Sequence, residues 1–299
     1  MQLLLIWGYN QIFMRYKSLG KTGERISAVG LGTWRLKTPN AVDILKYGFE
    51  NGINYVDTAE LYKTEAVVGE AIRGRDGIFV ATKVSSNHMK HDDLINACNE
   101  SLKKLGVKAI DLYQLHWPDQ NTPIAETMGA MEELVKDGKI RYIGVCNFSV
   151  DELRAANEAL KSNEVVSDQV EYSMLIRDPE KDVIGYCRKE SITVIAYSPL
   201  NRGHLYDEKY AELRGLLSEI GKNYGKTVTQ IAINWLIEKE QVVAIPKASS
   251  KEHVDELIGA TNFSLNNEDI SRIDGYLDSK KDDIRPPSLA EALKFGLKF

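Results

Sequence analysis

The 299-residue chain predicts a (β/α)8 TIM barrel with an N-terminal β-hairpin closing the bottom. Three observations carry that expectation. Eight short apolar runs alternate with segments of helical periodicity, which implies a parallel sheet wrapped by helices. The runs are nearly continuous in apolar residues, as strands covered on both faces are. No Gly/Ser linker or low-complexity block divides the chain, and a single α/β barrel accounts for a chain this long.

The elements follow in order. Residues 1–13, MQLLLIWGYNQIF, hold an apolar core too short to cross a membrane. They also lack the positive n-region and small-residue cleavage site of a signal peptide. They are expected to be an extra N-terminal segment, from an upstream start codon or packed on the barrel edge, ahead of one domain spanning 14–299. Residues 16–19 and 25–29 flank Gly20-Lys21-Thr22-Gly23 and predict the hairpin. Barrel strands are expected near 53–57, 78–83, 110–115, 140–146, 166–170, 192–197, 242–246 and 258–262. The last, around Gly259-Ala260-Thr261-Asn262, has the poorest strand composition. Helical spacing joins Ala41, Ile44, Leu45, Gly48 and Phe49, with Gly52 as a stop. It also joins Leu94, Ala97, Cys98, Ser101, Leu102 and Leu105, with Gly106 behind. Pro123 opens another helix with Met128, Met131, Leu134 and Val135 inside. Residues 151–160, 179–188 and 227–238 continue the series.

Composition narrows the function. Net charge is −5 with acid and base interspersed, so nucleic acid is not an expected partner. Cys98, Cys146 and Cys187 form no CxxC, which argues against a disulfide frame or a metal site and fits a reducing cytosol. Gly30-Leu31-Gly32-Thr33-Trp34-Arg35 lacks the third glycine of the dinucleotide fingerprint, stands ahead of the first expected barrel strand, and has no P-loop counterpart elsewhere. Any nucleotide must be held by other means.

Three expected strands end in an ionisable group: Asp57, Lys83 and His116. Tyr62 follows Asp57 by five residues. Strand ends of a parallel barrel share the face on which loops build active sites. Taken singly, each residue has a structural explanation: an Asp57–Lys83 ion pair, a satisfied core histidine, a packing tyrosine. Their convergence points to proton transfer. A lysine in IFVATKVS needs a partner, and Asp57 supplies it. The ammonium is expected to lower the Tyr62 pKa from its ordinary value of about 10, toward the operating pH at which acid–base catalysis works best. Tyr62 would then protonate a carbonyl oxygen held by His116. None of the four supplies a hydride, so a cofactor must.

Eight motifs in order carry a resemblance over roughly residues 14–278. They are Gly30-Leu31-Gly32-Thr33-Trp34, Val56-Asp57-Thr58-Ala59 with Tyr62, Ala81-Thr82-Lys83, Gln114-Leu115-His116, Gly144-Val145-Cys146-Asn147-Phe148, Gln169-Val170-Glu171-Tyr172, Ala196-Tyr197-Ser198-Pro199-Leu200 and Ile245-Pro246-Lys247. With them the chain resembles the aldo-keto reductases. The resemblance implies a catalytic tetrad of Asp57, Tyr62, Lys83 and His116, with Tyr62 the general acid. It places Asn147 and Gln169 on the nicotinamide carboxamide and Tyr197 against the nicotinamide ring. Ser198, Pro199, Leu200, Gly203 and Leu205 fall on the pyrophosphate loop, and Lys247 near the adenosine 2′-phosphate. Gly32, Thr33, Asp57, Cys146, Ile245, His253 and Glu256 complete the implied cofactor contacts. Trp34 and Trp117, with Tyr62 and His116, are the implied substrate contacts.

Three positions depart from the family pattern. Cys146 stands where a serine is common, His253 where an arginine is usual, and Leu257 where an asparagine is. NADPH is still the expected cofactor, because Lys247 persists and no carboxylate replaces the arginine. The expected substrates are small or sugar-like carbonyls, since the loop of residues 117–122 is short and leaves the site open. Two other readings stand beside this one: an NADP-binding regulatory subunit of the potassium-channel β type, which keeps the tetrad, and a barrel isomerase or aldolase using Lys83 as a Schiff base. The tail, residues 285–299, is expected either to fold over the site as a lid, the favoured alternative, or to pack on the outside of the barrel.

Overall fold

The computed structural model describes residues 14–281, 285–288 and 290–291. The expected N-terminal extension lies outside the described residues. So does most of the tail.

Tyr16–Ser18 (β1) and Arg25–Ser27 (β2) pair antiparallel as the predicted hairpin. Leu19 and Ile26 lie in one buried cluster with Tyr55, Phe79, Leu112, Val166, Ile195 and Val243. Those are residues of the lower parts of the barrel strands, so the hairpin plugs the N-terminal end of the barrel with apolar side chains. Arg141 on the barrel rim pairs with Glu24 of the hairpin turn.

Eight parallel strands form the barrel sheet. They are Leu31–Gly32 (β3), Tyr55–Asp57 (β4), Phe79–Val84 (β5), Ile110–Leu115 (β6), Ile140–Cys146 (β7), Val165–Glu171 (β8), Thr193–Tyr197 (β9) and Val242–Ala244 (β10). Each pairs with its neighbour in sequence. The ring closes where Val29 bridges Ala244 in parallel. There Gly30 N–H donates to the Ala244 carbonyl at 2.8 Å, and Gly32 N–H donates to the Pro246 carbonyl at 2.9 Å. This seam admits no side chain. A Cβ on Gly32 would stand 2.6 Å from the Ile245 carbonyl oxygen, and one on Gly30 would stand 2.4 Å from the Tyr55 ring.

The seam corrects one expectation. Residues 258–262 are not a strand. Lys251–Gly259 is a helix, with Val254, Leu257 and Ile258 on its buried side, a spacing that helices use and strands do not. The vacant place in the ring belongs to β3, so the Gly30-Leu31-Gly32 stretch forms the first barrel strand rather than preceding it. Seven other strands fall where expected. The intervening helices include Ala41–Glu50, Glu65–Ile72, His91–Leu105, Ile124–Lys136, Val150–Ala159, Val183–Glu190 and Val228–Ile237. Helices Glu65–Ile72, Ala211–Tyr224 and Asn267–Ser279 are additions to the sequence reading. Capping boxes of Ser149 with Glu152 and Thr227 with Gln230 start two of the helices.

Of the tail, Arg285 pairs with Asp178 at 2.8 Å, and the Pro287 carbonyl accepts from Arg202 Nη2 at 3.3 Å. The lid expectation for the remaining tail falls outside the described residues.

Candidate active site

Side chains along a strand alternate between faces, so inward positions recur every second residue. On β4 and β5 these steps run from Tyr55 to Asp57, and from Phe79 through Ala81 to Lys83. On β6 and β9 they run from Leu112 to Gln114, and from Ile195 to Tyr197. The lower members belong to the apolar interior cluster. The upper members are polar and lie at the C-terminal mouth. The chain thus stacks a polar layer on an apolar one.

Lys83 is 0% exposed and Asp57 is 2% exposed. Lys83 Nζ donates to Asp57 Oδ1 at 2.5 Å and to the Thr58 carbonyl at 2.8 Å. Burial works to lower the Lys83 pKa, but attraction to Asp57 and Tyr62 outweighs it and holds the ammonium well above its ordinary value. An enclosed amine paired with a carboxylate is poorly placed to act as a nucleophile, which argues against the Schiff-base reading.

Lys83 Nζ lies 4.8 Å from the centroid of the Tyr62 ring. The Tyr62 hydroxyl lies 3.3 Å from His116 Nε2, with the two rings edge to face at 5.4 Å. Burial, followed by Lys83, pushes the imidazole down to about 3, so His116 is neutral and carries one ring N–H. The phenol departs from expectation. Dehydration raises Tyr62 to about 12, because burial outweighs the pull of Lys83. Tyr62 is therefore a firmly protonated acid, and the ammonium moderates its pKa without bringing it below the ordinary value.

The Tyr62 turn is anchored on two sides. Glu60 Oε1 accepts the Ser85 N–H at 2.6 Å and contacts His88 Nδ1 at 3.0 Å, which ties the turn to the loop leaving β5. The Thr64 hydroxyl lies 2.9 Å from those of Thr33 and Thr58.

A cleft of about 540 Å³ opens over this floor. Most of the implied contacts line it: Gly32, Thr33, Trp34, Asp57, Tyr62, His116, Trp117, Cys146, Asn147, Gln169, Tyr197, Ser198, Pro199, Leu200, Gly203, Ile245 and Lys247. Leu205, His253 and Glu256 are not among the lining residues. Leu205 is buried in the outer core, and the Glu256 carboxylate accepts from Thr227 Oγ1 at 2.7 Å. His253 sits in the first turn of its helix, Nδ1 3.3 Å from the Ser249 hydroxyl. The cleft also takes in Arg35, Leu61, Arg202 and Pro246, which the sequence reading did not include. Arg35 stacks over Trp34 at 4.6 Å, and Arg202 lies 3.6 Å from Glu171. Their neighbours Trp34 and Gly203 were the available signal. Asn147, Ser198, Asn201 and Arg202 all hold left-handed backbone, with φ between 45° and 62°. Such strain concentrates where a site dictates geometry. Tyr197 Oη donates to Asn147 Oδ1 at 3.0 Å, and Asn147 Nδ2 donates to the His116 carbonyl at 3.3 Å.

Residues 28–278 match the sequence model of the Aldo/keto reductase family. The chain belongs to that family. Among the relatives of this aldo-keto reductase is a methylglyoxal reductase of Escherichia coli (strain K12), 32% identical over 87% of this chain and 95% of the relative. A glyoxal reductase of Bacillus subtilis (strain 168) is 33% identical over 84% of this chain and 89% of the relative. Among solved structures, a thermostable aldo-keto reductase crystallised with the inhibitor epalrestat is 41% identical, with a TM-score of 0.82 over 88% of this chain and 99% of that one. An aldo-keto reductase from Klebsiella pneumoniae in complex with NADPH is 31% identical, with a TM-score of 0.82 over 93% and 98% of the two chains. None of these points to the channel-subunit reading. No helix among the described residues is long and apolar enough to cross a membrane.

Proposed function

We propose that this chain reduces small aldehydes and ketones to alcohols with NADPH, using Tyr62 as the general acid. One observation carries the reading: at the floor of a single cleft, a protonated phenol lies 3.3 Å from a neutral imidazole and over a charged lysine held by a buried aspartate.

The cleft residues fit a nicotinamide cofactor. The amides of Asn147 and Gln169 lie at the inner end, where a carboxamide can be matched by donors and acceptors. Tyr197 offers a ring beside them. Residues 198–203 offer loop backbone in which Gly203 adopts φ 93° with open space around its Cα. Arg35, Arg202 and Lys247 line the cleft, and Asp57, its carboxylate, is already neutralised by Lys83. That charge distribution suits phosphates in a chain whose net charge is −5. The bound cofactor supplies the hydride.

The residues of the chain do the rest. The substrate oxygen sits between the Tyr62 hydroxyl and the His116 N–H. The neutral imidazole orients the carbonyl without competing for its proton. Tyr62 gives its proton to the oxygen as negative charge builds there. Lys83 steadies the phenolate left behind, and Asp57 keeps Lys83 in place and charged. Trp34, Leu61 and Trp117 wall the outer cleft and restrict water. The reductases of glyoxal and methylglyoxal among the relatives support small dicarbonyls as first candidates. Three buried free cysteines fit a reducing cytoplasm.

A panel of glyoxal, methylglyoxal, simple aldehydes and aldoses, run with NADPH and NADH and followed by nicotinamide absorbance, tests the proposal. Turnover with NADPH is expected. Lys247→Ala should weaken NADPH about tenfold while leaving NADH unchanged, as loss of a phosphate partner would. Absence of NADPH oxidation with every carbonyl would sink the assignment.

A further inference from the structure

Gln114 is fully buried on β6, two residues before His116, and is not among the residues lining the cleft. A primary amide in a dry interior must find its hydrogen bonds locally. Gln114 Nε2 donates to Asp57 Oδ2 at 3.3 Å. Gln114 Oε1 accepts from Gln169 Nε2 at 3.2 Å and from the Cys146 thiol at 3.7 Å. Gln169 Nε2 also donates to Asp57 Oδ2, at 2.9 Å. The Asp57 carboxylate is thus divided. Oδ1 holds Lys83, and Oδ2 is shared between an amide that faces the cleft and one that stands behind it.

The division matters once a cofactor is considered. Gln169 spends both Nε2 hydrogens inside this network, so an Nε2 that turns to a nicotinamide carboxamide leaves Asp57 Oδ2 one donor short. A buried carboxylate oxygen stripped of its donor is costly, and Asp57 would move to relieve it. Lys83 would follow Asp57, and Lys83 lies 4.8 Å from the Tyr62 ring centroid. The geometry points to Gln114 as a positioning residue: it keeps Asp57 Oδ2 bonded while Gln169 serves the cofactor, and its Oε1 holds the Gln169 amide poised at the cleft floor. Gln114 acts through Asp57 and Gln169, and touches neither substrate nor cofactor. The inference rests on the cofactor role proposed above for Gln169.

Gln114→Met keeps the unbranched shape and nearly the volume while deleting all three hydrogen bonds. In the free protein Asp57 Oδ2 still has Gln169, so the melting temperature should stay close to that of the parent. With cofactor bound, kcat should fall roughly tenfold with the KM for the carbonyl little changed. NADPH Kd by fluorescence titration should rise about threefold, although the substituted residue lies behind the cleft wall. Gln169→Met and the double variant complete a cycle. Because each amide backs up the other at one oxygen, only the double variant strips Asp57 Oδ2 of both donors, and it should lose more in kcat than the product of the two single losses. Three results would overturn the inference: kcat and Kd both within about twofold of the parent, losses that do no more than multiply in the double variant, or a loss traced wholly to a lowered melting temperature. The parent is titrated first. If it binds no NADPH, the cofactor reading of Gln169 fails, and this inference with it, at a step that does not involve Gln114.

Discussion

Two lysines at opposite ends of the barrel face the same difficulty and resolve it in opposite ways. Lys83 at the mouth and Lys17 on the hairpin at the base are both withdrawn from water, and in both burial is the leading influence against the charge. Lys83 meets a carboxylate at 2.5 Å and stays protonated. Lys17 Nζ meets a backbone carbonyl, that of Lys239 at 2.6 Å, with Arg15 nearby. Burial, reinforced by Arg15, brings its pKa down to about 7 against the weaker pull of Glu238 and Glu240. The depth of burial does not decide whether a lysine is a cation. The partner does, and of these two lysines the one beside a phenol has the carboxylate against it.

The largest expected effect probes what the mouth lysine serves. Tyr62→Phe conserves the ring over Lys83 and removes only the acidic hydroxyl, so NADPH binding should survive while turnover falls ~10²–10⁴-fold. A fall of less than about tenfold at saturating carbonyl would remove Tyr62 as the acid. Next comes the pair itself. Lys83→Met strands Asp57 as a buried, uncompensated carboxylate, which costs about 3–5 kcal/mol. Lost activity should therefore come with a clearly lower denaturation midpoint. An undiminished midpoint would mean that Asp57 finds another partner, and the contrast between the two lysines would weaken.

The smallest effect is at the base, and it is visible in pH dependence. The folded Lys17 pKa of about 7 lies below its ordinary 10.5, so between those values the unfolded chain binds a proton that the folded chain does not. Stability from this group must then rise as pH climbs from about 7 toward 10.5 and be smallest below that window. Denaturant midpoints measured across the window should show the rise in the parent and a flatter profile in Lys17→Met. Parallel profiles would indicate that Lys17 keeps its charge in the folded protein.

The tetrad was legible because its chemistry is written in residue type and position: charged groups ending apolar strands have few explanations. Gln169 was legible for the same reason. Gln114 was quoted in a motif, but its role was hidden, since a hydrogen bond shared among β4, β6 and β8 leaves no trace in any one strand. The misplaced eighth strand has a different cause. Two residues, Leu31 and Gly32, are too few to display a period, while the Gly-Ala-Thr-Asn stretch follows a helix whose buried side was overlooked. The Tyr62 pKa went astray because sequence shows which charges are near and not how much water has been removed. Leu205, His253 and Glu256 came by likeness alone, without a distance to check them against the cleft.

The seam between β3 and β10 has a consequence in time. Its two sides are contributed by β3 and by residues some two hundred positions later, so the ring cannot close until the chain has been made through Pro246. Until then β3, two residues long, has β4 as its only neighbour, and contacts of such sequence separation form slowly. Thr33 and Trp34 follow directly on that strand. The wall they give the cleft therefore rests on a strand whose second edge is covered only when the seam closes, and a nascent chain that already carries Asp57, Tyr62, Lys83 and His116 in order lacks that support until residues 242–246 have been made.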